Sequence, residues 1–292
     1  MPTTRKLGVV GGSGVYKIDA LQNARRIEVE TPWGPPSDAL LQGRIGDVEV
    51  VFLARHGAGH RVAPGDINYR ANIDALKRSG VTDVISLSAC GSFREELAPG
   101  TFVLVDQFID RTTTREKSFF GKGFVAHVSM AHPVCPALSD ALAASCKALA
   151  IPHHKGGTYI TIDGPQFSSL AESNLYRSWG CDVIGMTNMP EAKLAREAEL
   201  PYATAAMVTD YDCWHEEEGP VEVAKVLEVM ASNTANAARL VVDLAGRLGA
   251  TRDPSPLGVE TMLDYAVITP PESRDPEMSD KLSAVAGRLL RS

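Results

Sequence analysis

The chain has 292 residues, 29 Lys and Arg against 36 Asp and Glu, a formal charge of −7 and 44% apolar residues. That size and composition allow one large α/β domain with an ample core, and they exclude a disordered chain of low hydrophobicity and high charge. An acidic chain without a dense Lys/Arg block is a poor binder of nucleic acid, and no run approaches 18 apolar residues, so no membrane span is expected.

The start, MPTTRKLGVVGGSG, has only the apolar run Leu7–Val10 before its glycines and does not read as a signal peptide. Five widely spaced cysteines suit reduced thiols and a cytoplasmic protein better than a disulfide framework. In chain order, Leu7–Val10 predicts a short strand stopped by Gly11-Gly12-Ser13-Gly14. Val48–Leu53 predicts a second strand, followed by Ala54-Arg55-His56-Gly57. Asp66 is placed to cap a helix running to Lys77–Arg78, with Gly80 as its stop. Val84–Leu87 predicts a buried strand ending at Ser88-Ala89-Cys90-Gly91-Ser92, and Thr101–Phe108 predicts another.

Pro136–Ala150 predicts an Ala-rich helix and Gly157–Ile162 a strand. Ser169-x-x-Glu172 is a capping box opening a helix to Trp179. Asp182–Met186 predicts a strand, Pro190 opens a helix over Glu191–Glu199, and Tyr202–Val208 predicts a strand ending at Thr209-Asp210-Tyr211-Asp212. A long helix is expected over Val221–Leu248, a linker over Thr251–Leu257 and an amphipathic helix over Glu277–Leu290. The alternation argues for an α/β fold, and the hydroxyls, Arg and acids fall just past strand ends, where open α/β sheets bind ligands.

Familiar motifs fail here. Gly12-x-Gly14-x-x-Lys17 lacks the third glycine of a dinucleotide loop, and Val15 stands where a nucleophile elbow needs glycine. Lys17 is followed by Ile18 rather than the Ser/Thr of a phosphate-binding Walker loop. His56 and His60 have the spacing of a zinc pair, but Gly57 and Gly59 argue against a helix between them. Cys90, in an Ala-Cys-Gly setting, reads as a packed small thiol.

What remains is an anion site. Ser13 lies in a Gly-rich turn that exposes backbone N–H groups, and Arg55 offers a fork of donors suited to bidentate phosphate contact. His56 stands beside it, and Ser88 and Thr187 bring hydroxyls from two other strand ends. Taken singly these could be a turn residue, a surface ion pair and local caps; their shared position strengthens the joint case. In extended chain, residues i and i+2 face the same way, so Asp210 and Asp212 would repel and one would keep its proton near neutrality. A protonated Asp donates one hydrogen bond and accepts another, which matches an adenine edge. A solvated loop with two ordinary acids, or a metal site, is the alternative.

The blocks GVVGGSGVY (8–16), TPWGPPSDAL (31–40), ARHGAGH (54–60), INYRANIDALK (67–77), SACGSFREE (88–96), DQFIDRTT (106–113), TIDGPQFSSLAES (161–173), MTNMPE (186–191) and VTDYDCW (208–214) resemble the methylthioadenosine phosphorylase branch of the trimeric purine nucleoside phosphorylases. The resemblance runs from about residue 7 to 248. It implies a single α/β domain with a central mixed sheet flanked by helices over 1–250, and a tail over 251–292 that packs on the domain or a neighbouring subunit. It implies phosphate-dependent cleavage of S-methyl-5′-thioadenosine, with no metal or organic cofactor and inorganic phosphate as co-substrate. Assembly is expected as a homotrimer, sometimes paired into a hexamer.

By the same resemblance Ser13, Arg55, His56, Ser88, Ala89 and Thr187 hold phosphate, Met186 lies against the ribose, and Ser168, Asp210 and Asp212 address the purine. His127 and Val226 line the pocket for the 5′ substituent, and Ile268 completes it from a neighbouring subunit. The chain departs from the pattern at Ser13 and Ser88, where relatives often carry Thr, and at Gln166, where Arg is common. Two Asp residues favour a 6-aminopurine; a 6-oxopurine enzyme acting on methylthioinosine or inosine is the closest rival.

Overall fold

The structure, a computed structural model, describes residues 3–12, 14, 18–215 and 223–291. Its strands are β1 (Thr3–Thr4), β2 (Lys6–Gly11), β3 (Gln22–Ile27), β4 (Leu40–Ile45), β5 (Val48–Ala54), β6 (Asp83–Ser92) and β7 (Phe102–Leu104). They continue with β8 (Gln107–Asp110), β9 (His153–Lys155), β10 (Thr158–Thr161), β11 (Val183–Gly185), β12 (Tyr202–Asp210) and β13 (Thr251–Arg252). The helices are α1 (Tyr69–Arg78), α2 (Pro136–Ala148), α3 (Leu170–Ser178), α4 (Asn188–Glu197) and α5 (Val223–Leu248). Three short ones follow in the tail: α6 (Leu263–Ala266), α7 (Pro276–Lys281) and α8 (Gly287–Leu290).

Eleven strands form one mixed sheet, in the order β3-β4-β5-β2-β6-β11-β10-β8, with β12 on β6 and β7, and β9 on β7. Alternation along the strands splits the core in two. Leu7, Val9, Val50 and Phe52 face one side and pack with α2 and α5 through Leu138, Leu142, Leu240 and Leu244. Val10, Val51 and Leu53 face the other and pack with α1 and α4 through Ile73, Leu76 and Leu194. The tail joins this second layer by burying Leu263, Leu282 and Val285 there.

β6 is where the sheet divides. Its first half pairs in parallel with β2 up to Val10↔Ser86, and its far end pairs antiparallel with β11 from Ile184↔Gly91. β12 runs along its other edge throughout. Residues 87–90 therefore have a ladder partner on one edge only, and the free edge opens on a cavity. This is the crevice that a parallel sheet offers where neighbouring strands diverge.

Several expected elements differ. The strand expected over Thr101–Phe108 is two, because the chain leaves β12 after Leu104, turns with Asp106 N–H on Gly157 O at 3.1 Å, and joins β10 as β8. Asp66 does not cap α1: it ends a 3-10 turn, and Asn68 Oδ1 caps by accepting from Ala71 N at 3.0 Å. The terminal helix expected over Glu277–Leu290 breaks into α7 and α8, since Leu282, Val285 and Ala286 must all turn into the core. Thr251–Arg252, expected in a linker, pairs antiparallel with β1. The edge strand β3 carried no periodic apolar signal because its residues are polar and largely exposed. Of the helix expected from Val221, the first two residues lie outside the described ones. The Ser169 capping box forms in both directions, with Ser169 N on Glu172 Oε2 at 2.8 Å.

Candidate active site

A cavity of about 340 Å³ lies over the open edge of β6. It brings together Arg55, His56, Ser88, Ala89 and Thr187 on one wall, with Ser168, Met186, Asp210, Asp212 and Val226 around the rest. Ser13 lies outside the described residues, although its neighbours Gly12 and Gly14 line the same cavity. His127 and Ile268 are elsewhere. His127 lines a second cavity of about 390 Å³ with Lys117, Lys193 and Glu197. Ile268 sits beside it, joined through the Ala126↔Val267 bridge and its own N–H on Val125 O at 2.9 Å, with 64% of its surface exposed.

Arg55 reaches the cavity from the end of β5 and is only 1% exposed. The fork of donors expected to face phosphate is instead closed on protein. Nε and Nη2 donate to the Glu191 carboxylate at 2.8 and 3.1 Å, Nη2 also to Ser86 Oγ at 2.7 Å, and Nη1 to Leu87 O at 3.0 Å. Tyr202 donates to the same carboxylate at 2.9 Å. A buried guanidinium demands such a partner, and Glu191 at the start of α4 is where the fold supplies one. The second Nη1 hydrogen has no acceptor among these bonds.

His56 carries no positive charge near neutrality: burial, and then Arg55 beside it, depress its pKa to about 4. Its Nδ1 lies 2.9 Å from Val62 O, and a carbonyl only accepts, so Nδ1 carries the proton and Nε2 is left as an acceptor. The ring stacks on His60 at 4.2 Å between centroids. This wall of the cavity therefore carries hydroxyls, a neutral imidazole and an arginine already balanced by a carboxylate. Ser88 Oγ is buried and has no hydrogen-bond partner in the protein, and the same holds for Ser168 Oγ.

The two acids do not stand side by side on an extended strand. A register shift between Val208 and Asp210 bulges β12 against β6 and re-aims Asp210. Gly91 makes this possible, since a Cβ there would come within 2.8 Å of Asp210 Oδ1. Asp212 follows in a tight turn with φ of +53°. Asp210 accepts from Asp212 N at 2.9 Å and from Thr209 Oγ1 at 2.7 Å. Burial raises the Asp210 pKa. Burial also lifts Asp212, with help from the Asp210 charge, to about 6. Burial leads both shifts, and the repulsion expected from the sequence enters only as a lesser contribution of the Asp210 charge to Asp212.

Three supporting residues escaped sequence reasoning. Arg115 is buried and donates to Met186 O and Met189 O, both at 2.7 Å, and to Tyr69 Oη at 3.0 Å, clamping the loop that carries Met186 and Thr187. Glu191 and Tyr69 stood in quoted blocks without a role, and Arg115 carried no local signal. Among the described residues no three His, Cys, Asp or Glu side chains gather as a metal site.

A profile of the phosphorylase superfamily matches residues 6–245. The chain belongs to that superfamily. It is 59% identical to the S-methyl-5′-thioadenosine phosphorylase of Cereibacter sphaeroides over 98% of each chain. It is 60% identical to that of Rhodospirillum rubrum over 97% of each. Its fold is similar to a methylthioadenosine phosphorylase from an antarctic soil metagenomic library, with a TM-score of 0.92 and 44% identity over 97% of this chain and 99% of that one. A methylthioadenosine phosphorylase of Schistosoma mansoni in complex with adenine is similar with a TM-score of 0.82 and 35% identity, over 93% and 99%. The mixed sheet in a single α/β domain is thus the fold of phosphorylases, as its sequence blocks imply.

Proposed function

We infer that this chain cleaves S-methyl-5′-thioadenosine with phosphate, releasing adenine and 5-methylthioribose 1-phosphate. The observation that carries the reading is the pair of a half-buried Asp210 and a buried Asp212, with raised pKa values, in one cavity with the hydroxyls of Ser88 and Thr187. Cleavage of the C1′–N9 bond passes through an oxocarbenium-like state in which the sugar becomes cationic and the purine gathers negative charge. Asp210 offers a proton to purine N7 as the base departs, and Asp212 accepts from the 6-amino group.

Phosphate binds against Ser88, Thr187, the amides around Ala89, the remaining Arg55 hydrogen and the Gly-rich loop that includes Ser13. There it faces C1′, stabilises the cation and captures it. Met186 lies against the ribose, and Ser168 lies beside the base. The reaction needs no metal or organic cofactor in this reading, because both developing charges are met by these side chains and by phosphate itself.

Val226 offers an apolar wall for the methylthio group. We place His127 and Ile268 at the same subsite of a neighbouring subunit in a homotrimer. Their separation from this chain's own cavity, and the exposure of Ile268 and Tyr265 (64% and 91%), support that arrangement. Pairing of trimers into a hexamer is compatible with it. Among the described residues no helix is long and apolar enough to cross a membrane. Free cysteines, four of the five buried, support a reducing cytoplasm.

The deciding experiment follows base release from methylthioadenosine, methylthioinosine, adenosine and inosine, with and without phosphate. Methylthioadenosine should lead, and only with phosphate present. Faster release from methylthioinosine, or release independent of phosphate, would sink the reading.

A further inference from the structure

Tyr159 is a buried polar group close behind this site whose chemistry the proposed reaction leaves unused. It lies on β10 opposite Val183 of β11, and its ring runs along that strand to Gly185, two residues on and on the same face. A Cβ at residue 185 would overlap the Tyr159 hydroxyl and come within 2.6 Å of Cζ, so the phenol occupies the room that a side chain at 185 would take. The same spot is 3.3 Å from Ala89 O, and Gly185 itself lines the cavity. The phenol therefore sits directly behind the wall formed by Ser88, Ala89 and Thr187.

The ring is fully buried and wedged by Phe108, edge-on at 6.0 Å between centroids, so it cannot swing away. Yet Tyr159 Oη has no hydrogen-bond partner, and neither has Ser88 Oγ. Two orphaned hydroxyls, side by side in a folded interior, are costly unless a bound state uses them. Burial drives the phenol's pKa well up, so the group stays a neutral O–H donor.

We propose that Tyr159 is a positioning residue: its O–H donates to Ser88 Oγ and turns the serine's own proton onto the bound phosphate. This rests on the reading that phosphate sits against Ser88. A serine hydroxyl rotates freely and can either accept or donate. With phosphate bound, a fixed donor behind the serine leaves only the outward direction for its proton.

Tyr159→Phe tests this in the full-length enzyme. The expected result is a KM for phosphate raised about five- to tenfold, the worth of one hydrogen bond. The KM for methylthioadenosine should stay within about twofold, and the Tm should be unchanged or higher, because an unpartnered buried hydroxyl has been removed. In a Ser88→Ala background, where KM for phosphate is already raised, adding Tyr159→Phe should change nothing further. Tyr159→Leu, which also lacks the hydroxyl, should raise the phosphate KM by the same factor and covers the case of a poorly folding Phe variant.

An unaltered phosphate KM in Tyr159→Phe overturns the proposal, as does an equal rise for both substrates or an undiminished effect without Ser88. Should the wild type release adenine without phosphate, the functional reading falls and this one with it. A phosphate-dependent wild type with an indifferent Tyr159→Phe removes only the role of Tyr159.

Discussion

The carboxylate of Asp210 accepts the backbone N–H of Asp212 at 2.9 Å, so the turn that places the second acid also fixes the first. Asp210→Ala should lower turnover of methylthioadenosine about 10²- to 10⁴-fold, the usual contribution of a positioned proton donor. Near-normal adenine release by this variant would remove Asp210 from the chemistry.

In the proposed reaction Asp212 faces the 6-position, where adenine donates and a 6-oxopurine accepts. Asp212→Asn supplies an amide donor, so the ratio of kcat/KM for methylthioinosine to that for methylthioadenosine should rise at least about tenfold, since a mismatched buried hydrogen bond discriminates strongly. A ratio that stays put would place base recognition elsewhere.

The same acid should weaken the fold at working pH. Its folded pKa of about 6 lies above the ordinary 3.8, so the folded chain holds this proton after the unfolded chain has released it. The favourable contribution is complete below pH 3.8 and is lost as pH rises through 6, a difference of up to about 3 kcal/mol. Asp212→Asn is therefore expected to unfold at higher temperature than wild type at pH 7.5 but not at pH 4. His56 has the opposite sign: its pKa of about 4 lies below the ordinary 6.5, so its contribution is present above 6.5 and lost as pH falls through 4. Thermal scans of wild type, Asp212→Asn and His56→Gln across pH 4–8 check the two slopes.

Arg55 and Glu191 are a buried pair, each about 2–3% exposed at the side chain and 2.8 Å apart. Breaking such a pair from one side leaves an uncompensated charge and typically costs about 3–5 kcal/mol. Glu191→Gln should therefore lose most of that in denaturant unfolding, and a loss under about 1 kcal/mol would contradict the reading of Arg55 as a balanced charge.

Ile268→Asp addresses the subunit contact. Sedimentation should give a trimer of 31.3 kDa chains for wild type, and the variant should show either smaller species or a raised KM for methylthioadenosine with the phosphate KM unmoved. A monomeric, fully active wild type would remove the shared 5′ subsite.

The sequence by itself determined the α/β class, most of the strands beneath the cavity, the Ser169 capping box and the chemistry-bearing residues at strand ends. These are written in short-range patterns: apolar runs of strand length, turn glycines and a hydroxyl three residues before a Glu. It also determined that an acidic chain lacks a broad cationic surface, yet still offers a local place for an anion.

Only the tertiary structure decided how that anion is met. Whether Arg55 presents a free fork depends on Glu191, which lies 136 residues away and arrives on another helix. Whether His56 is a cation depends on burial and on Arg55 beside it, and whether Asp212 keeps a proton depends on its burial and on the nearby Asp210 charge. Charge state and donor direction are set by desolvation and by partners brought together from distant parts of the chain, and neither is encoded in local spacing. For the same reason the phenol of Tyr159, one apolar-strand residue among many in the sequence, becomes visible as part of the site only where the chain packs it behind Ser88.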